Sequence, residues 1–235
     1  FDVTVLPAPH GAVPEGPPAH ADWAGVEWAQ DAAETRAALE NIPDWLVVDH
    51  YAFDARWQKE ACPTGTQCMV IDDLADRPHD CDLLFDQNLG HAAGDYDDLV
   101  PDRCTRLMGP HYALLRPEFA ERRAAALVAR AGRGLTRLMI SMGGIDGVDA
   151  TSTVLGALCD APLPTDLQIS VIMGSRAPAL EKVRALVQTM PRPTEVAVDV
   201  DDMAERMAAA DLAIGAGGGT TWERCCLGLP SIIVE

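Results

Sequence analysis

Gly215-Ala-Gly-Gly-Gly-Thr-Thr-Trp-Glu-Arg-Cys-Cys-Leu-Gly-Leu-Pro230 sets a run of small residues between a short apolar strand and a helix that carries one acidic side chain. The preceding Ala210-Asp-Leu-Ala-Ile214 reads as a buried strand, and Thr220 and Thr221 are placed to cap a helix over residues 222–227. Glycines let an anion approach the backbone. At a helix start the free N–H groups and the positive end of the macrodipole face such a ligand, so no Lys or Arg is needed. Gly218, Gly219, Thr220 and Thr221 are therefore candidates for holding phosphate. A tight strand-to-helix connection with no ligand would use the same residues.

Two more turns share the pattern. Ser141-Met-Gly-Gly-Ile-Asp-Gly147 and Met173-Gly-Ser175 each follow an apolar run, which adds Gly144 and Gly174 as candidates. Strand-like runs at 3–6, 45–50, 67–71, 83–86, 136–142, 167–173, 195–200, 212–215 and 231–234 alternate with helical patterns at 32–39, 118–130, 179–190 and 203–209. Asp201 or Asp202 is placed to cap the helix over 203–209. This alternation predicts an α/β chain of two Rossmann-like lobes with a cleft between them: residues 1–115, a charged, glycine-punctuated connector at 116–134, and 135–235. Ligands in open α/β sheets lie off the carboxyl ends of strands, where all three glycine turns fall. The stretch 7–21, rich in Pro and Gly, reads as a loop. Both ends start or stop inside strand-like runs, so the lobes are expected to be incomplete at both termini.

Composition narrows the partners. The 235 residues are 48% hydrophobic and carry 36 acidic against 18 basic side chains, a formal charge of −18 that disfavours a nucleic-acid surface. Seven cysteines at irregular spacing form no Cys-x2-Cys pair. They read as reduced thiols, with Cys225 and Cys226 expected to be buried in a helix. No zinc spacing and no bilayer-length apolar run occurs in the sequence, so the expectation is a soluble cytoplasmic protein without cofactor or metal. Asp80-Cys-Asp82 and Asp199-Val-Asp201 are assigned to strand-end or cap roles.

The glycine segment, together with Val70-Ile-Asp-Asp-Leu-Ala-Asp-Arg-Pro-His-Asp-Cys-Asp-Leu-Leu-Phe-Asp-Gln-Asn88, closely resembles the UDP-sugar hydrolases of pseudaminic acid biosynthesis. The resemblance extends through Val47-Val-Asp-His-Tyr-Ala-Phe-Asp54 with Trp57, Leu107-Met-Gly-Pro-His-Tyr-Ala-Leu-Leu-Arg-Pro-Glu-Phe119 and Ile140-Ser-Met-Gly-Gly-Ile-Asp146. It implies a MurG-like GT-B fold and hydrolysis of UDP-2,4-diacetamido-2,4,6-trideoxy-β-L-altropyranose to UDP and free sugar. Attack is then expected at the anomeric carbon, with inversion and without a metal. It further implies that backbone near Ile172 and Met203 holds uracil, that Glu223 accepts the ribose hydroxyls, and that Gly218 to Thr221 hold the phosphates. Glu223 would otherwise be a solvated first-turn helix acid.

The family's Gly-x-Gly-His element has no counterpart here; His10 precedes Gly11 in a different context. Candidates for the sugar side are Tyr51 and His50, at a strand exit beside Asp49. Tyr51 would orient water or a sugar oxygen and His50 would assist, or Tyr51 packs on Trp57 and His50 satisfies a loop carbonyl. Asp72, Asp73, Asp76, Arg77 and His79 form a second polar cluster, and Asp86, Gln87 and Asn88 a third; either binds acetamido groups or ties loops together. A UDP-dependent glycosyltransferase and a catalytically incomplete UDP-sugar-binding protein are the alternatives to the hydrolase.

Overall fold

The computed structural model describes residues 2–9 and 15–234. His10, Gly11 and Glu235 lie outside them. The chain divides into two compact units, Phe1–Leu114 and Leu115–Glu235.

The first unit is a four-stranded parallel sheet in the order β1-β2-β3-β4, with β1 at Trp45–Val48, β2 at Gln67–Ile71, β3 at Leu83–Asp86 and β4 at Thr105–Met108. Helices α1 (Trp28–Ala38) and α2 (Ala55–Ala61) pack on one another. Asp54 caps α2 by accepting the Arg56 N–H at 2.9 Å, and Trp57 on α2 donates to Asp31 on α1 at 2.8 Å. Phe53 stacks on Trp57 with centroids 4.4 Å apart, over a core that includes Val48, Val70, Leu84 and Ala61. Parallel neighbours usually need a helical crossover. The link from β2 to β3 has none, and side chains satisfy its backbone instead: Gln58 accepts the Asp80 N–H at 2.9 Å, and Asp72 accepts the Ala75 N–H at 3.1 Å.

In the second unit a five-stranded parallel sheet runs β7-β6-β5-β8-β9, from β5 (Arg137–Ser141), β6 (Gln168–Met173), β7 (Thr194–Val198), β8 (Leu212–Ala216) and β9 (Ser231–Val234). Alternating residues of β5 separate its faces. Leu138 and Ile140 join α4 (Ala150–Asp160) and α5 (Leu180–Val187), while Met139 joins α3 (Pro117–Arg130), α6 (Met203–Ala209) and α7 (Thr220–Cys226). Arg130 fastens α3 by donating to the carbonyls of Ala210 (2.9 Å) and Leu227 (2.8 Å), at the ends of α6 and α7 where carbonyls lack helical partners. Asp211 ties β8 to β5 by accepting the N–H groups of Thr136 and Arg137, each at 2.8 Å.

Several expectations change. Residues 3–6 form no strand: Val3 and Val5 are 82% and 86% exposed, and apolar alternation stabilises a strand only against a neighbour and a core. Strand β4 and helices α2 and α4 form in stretches outside the predicted strands and helices. Gly219, not a threonine, is the N-cap of α7, and no side chain caps it; Thr220 and Thr221 are already helical. Asp202 does occupy the N-cap of α6, but its carboxylate goes to Arg206 at 2.6 Å instead of the helix amides. Cys225 is exposed, because α7 turns that position away from α3 and the sheet. All seven cysteines are free.

Candidate functional site

The winding of the second sheet creates a defined crevice. From β5 the chain proceeds outward through β6 and β7, then returns to place β8 on the other side of β5, so the order reverses between β5 and β8. Ligands of doubly wound sheets sit off the carboxyl ends at that reversal. Ser141 and Gly215 are register partners there. The three glycine turns leave β5, β6 and β8, three adjacent strands, so the fold gathers Gly144, Gly174, Gly218 and Gly219 at one edge.

These turns are not equivalent. Asp146 closes the first by accepting the N–H groups of Ala150 and Thr151 at 2.9 and 3.0 Å, which occupies the amide start of α4. The second lies directly against the first: a Cβ on Gly174 would collide with the Gly144 carbonyl. Its next residue is held by Asp199, which accepts the Ser175 N–H at 2.8 Å. The third is open. Gly217, Gly218 and Gly219 are exposed, a Cβ on any of them would meet nothing within 4 Å, and Gly218 has φ +95°, which favours glycine. The first backbone bonds of α7 run from Thr221 to Gly218 and from Trp222 to Gly219, which leaves the preceding amides at the turn.

Glu223 lies one turn along α7 with its side chain 18% exposed and its carboxylate 3.8 Å from Arg116 Nη2. Burial pushes its pKa up, and the Arg116 charge opposes that shift. Ile172 pairs with Ala197 inside the ladder and its side chain is core, so only backbone beyond it could reach a ligand. Met203 is the first residue of α6, where a backbone N–H has no helical acceptor. Nothing in the sequence singled out Arg224, which is 1% exposed and lies beneath the third turn.

In the first unit, the loops after β1, β2 and β3 converge on one polar network at the carboxyl edge. The Tyr51 hydroxyl donates to Asp73 at 2.6 Å, and Asn88 donates to the other oxygen of Asp73 at 2.5 Å. The Tyr96 hydroxyl reaches both Asp72 (3.1 Å) and Asp86 (3.2 Å). His91 Nδ1 contacts Asp86 at 2.7 Å, and Arg77 Nη2 lies 2.7 Å from Asp72. Burial raises the Tyr51 pKa, and the hydrogen bond to Asp73 adds to it, so the phenol stays protonated. His50 accepts the Ala52 N–H on Nδ1 at 3.1 Å and stacks on Phe53 at 4.7 Å; burial lowers its pKa. Its neutral ring then carries the proton on Nε2, which suits donation better than proton abstraction. Tyr51 and His50 are thus close in sequence but belong to different contacts. The packing expected between Tyr51 and Trp57 is replaced by the stack of Phe53 on Trp57 and by Trp23, centred 5.9 Å from Tyr51. Tyr96 and His91 join this network although neither stood out in the sequence.

Other polar motifs have local roles. Asp80 and Asp82 both pair with Arg103, at 2.6 and 3.0 Å. Among the described residues no group of three or more His, Cys, Asp or Glu is arranged to hold a metal ion, and no helix is long and apolar enough to cross a membrane. A cavity of about 480 Å3, lined by Arg137, Gln168, Ser170, Thr194, Glu195 and Arg206, opens at the amino ends of β5–β7, opposite the glycine turns. Its place in the fold separates it from the chemistry described above.

A parallel sheet covered by helices on both faces, with an open glycine turn at its winding reversal, defines the second unit as Rossmann-like; the chain as a whole is an α/β protein with two such parallel sheets. Residues 142–235 match the glycosyltransferase family 28 C-terminal domain. The chain is 31% identical over 127 residues to the spore coat polysaccharide biosynthesis protein SpsG of Bacillus subtilis, covering 54% of this chain and 36% of that protein. It is 31% identical over 141 residues to the UDP-2,4-diacetamido-2,4,6-trideoxy-beta-L-altropyranose hydrolase of Campylobacter jejuni, covering 59% of this chain and 47% of that protein. The matched stretches span less than half the length of these relatives. The similarities therefore relate residues 142–235 to the glycosyltransferase family 28 C-terminal domain and a little over half of the chain to these two proteins.

Proposed function

We propose that the protein hydrolyses a UDP-sugar, UDP-2,4-diacetamido-2,4,6-trideoxy-β-L-altropyranose by similarity to the Campylobacter jejuni relative, to UDP and the free sugar. The observation that carries the reading is the open, side-chain-free turn at Gly217–Gly219 on the β5/β8 reversal, within the stretch that matches the family 28 domain. Backbone amides of Gly218, Gly219 and Thr220, with the Thr221 hydroxyl, hold the diphosphate. The Glu223 carboxylate accepts from the ribose hydroxyls, a pairing suited to a vicinal diol. The Met203 N–H and backbone just beyond Ile172 read the uracil edge, while Gly144 and Gly174 allow the ligand to approach the sheet edge.

Water attacks the anomeric carbon, the C1–O bond breaks with inversion, the electron pair leaves on UDP, and the proton of the attacking water passes to solvent or to the departing diphosphate. Charge accumulates on the diphosphate as the sugar gains oxocarbenium character, so amide donors aimed at the leaving group lower the barrier. The reading requires no metal for this step. Tyr51, held by Asp73, and His50 act on the sugar side: the Tyr51 phenol orients water or a sugar oxygen, and His50 Nε2–H donates.

Incubation with the UDP-sugar and measurement of UDP release test the reading; release no faster than without protein overturns it. The matches to SpsG and to the family 28 domain favour a second reading, sugar transfer to an acceptor. Product analysis separates the two, since free reducing sugar formed in water alone supports hydrolysis and acceptor-dependent turnover supports transfer.

A further inference from the structure

We propose that Arg224 is a positioning residue for the anion. Its buried guanidinium shapes the 215–221 turn and supplies the unbalanced positive charge that a diphosphate on that turn neutralises. The proposal rests on the reading of this turn as phosphate-binding. Arg224 is 1% exposed, yet no carboxylate among the described residues lies within 4.0 Å of its guanidinium. Neighbouring Glu223 turns to Arg116 instead. Nη2 donates to the Ala216 carbonyl at 2.8 Å and to Thr221 Oγ1 at 3.1 Å, while Nε is buried without a hydrogen-bond partner.

A buried, unpaired cation is unfavourable, and here burial lowers the pKa of Arg224. In a chain of formal charge −18, placing such a cation under a glycine turn counters the global field where an anion would sit. Thr221 links the two. Its oxygen accepts from Arg224, so its hydroxyl proton is left to donate outward, polarised by the cation behind it. Gly215 belongs to the same device, because a Cβ there would strike Arg224 Nη1 and come 2.6 Å from the Ser141 carbonyl oxygen.

Calorimetric titration of the protein and of Arg224→Met and Arg224→Lys with UDP, UMP, uridine and inorganic pyrophosphate tests this. Arg224→Met should weaken UDP and pyrophosphate by about tenfold or more, the scale of one charge-assisted hydrogen bond, weaken UMP less and leave uridine unchanged. Arg224→Lys should recover part of the loss. A merely structural role would weaken every ligand alike, uridine included, with no recovery by Lys, and would overturn the proposal. UDP affinity unchanged in Arg224→Met overturns it while leaving the phosphate reading intact. A native protein that binds neither UDP nor pyrophosphate overturns both. If both variants fail to fold, the arginine Nε–H resonance of Arg224 in the native protein decides: pyrophosphate shifts it, or the proposal falls.

Discussion

The carbonyl of Gly144 stands where a Cβ on Gly174 would be, so that two strand-end turns meet with no room for a side chain between them. Gly174→Ala must push β5's turn away from β6. Overpacking against backbone costs about 1–3 kcal/mol. Thermal unfolding should therefore occur at lower temperature, and UDP affinity should fall as the edge spreads. Gly144→Ala has open space at its own Cβ and serves as the control for unfolding alone.

Asp72 and Arg77 form a buried ion pair at 2.7 Å, with side chains 0% and 3% exposed. The contact is close but not aligned as a hydrogen bond. Asp72→Asn leaves the guanidinium buried beside a neutral amide and should cost about 3–5 kcal/mol in urea unfolding, the scale of breaking such a pair. Burial pushes the Asp72 pKa up, but His79 and Arg77 outweigh it and hold the carboxyl well below its ordinary 3.8. Its stabilisation is therefore complete above 3.8 and is lost only as pH falls through the depressed folded value. In Asp72→Asn that acid-range loss should shrink.

The two imidazoles of the first unit should titrate in opposite senses. The hydrogen bond to Asp86 raises the His91 pKa above 6.5, with Asp95 and Asp73 adding to it, whereas burial lowers that of His50. NMR titration of the ring protons should show His91 protonating first as pH falls. Asp86→Asn should return His91 toward 6.5 and leave His50 in place. Because His91 is raised, its contribution to stability is full below 6.5 and disappears as pH rises through the folded pKa.

Glu223 tests the ribose role. Burial raises its pKa above 4.5, so the acceptor form is lost at a higher pH than for a solvated glutamate. UDP affinity should fall as pH drops through that raised value. Glu223→Ala should weaken UDP binding by about 1–3 kcal/mol at neutral pH and flatten the pH dependence. The linked effect on folding has the opposite sense: favouring the protonated form, the fold loses stability as pH rises from 4.5 through the raised pKa. Calorimetry and unfolding across pH 4–7, roughly the window spanned by ordinary and raised carboxyl pKa values, measure both effects.

Most strands were legible because a parallel sheet covered on both faces leaves continuous apolar runs. Residues 67–71, 83–86 and 231–234 form strands with those same limits. Strand β4, Thr105–Met108, is hidden in the sequence because Thr105 and Arg106 break the apolar run; register with β3 makes it a strand. The pattern at 3–6 misled for the converse reason, since it has alternation but no neighbour. The threonines have the chemistry of caps, yet α7 begins at Thr220, two residues before 222, and spends them inside the helix.

Local sequence determined that Gly217–Gly219 would be a turn free of side chains, since backbone freedom and the absence of Cβ atoms are properties of the residues themselves. Alternation of strands and helices likewise determined the α/β class. Only the tertiary structure decided which of three similar turns stays open. Asp146 fills the amides after the first, Asp199 holds the second, and the third is left over a buried Arg224 at the winding reversal. Those outcomes include the Asp199–Ser175 contact across 24 residues and the gathering of the three turns at one sheet edge, although the Asp146 bonds themselves are local. A spacing rule cannot encode them, because hydrogen bonds and burial are set by which segments the sheet brings side by side.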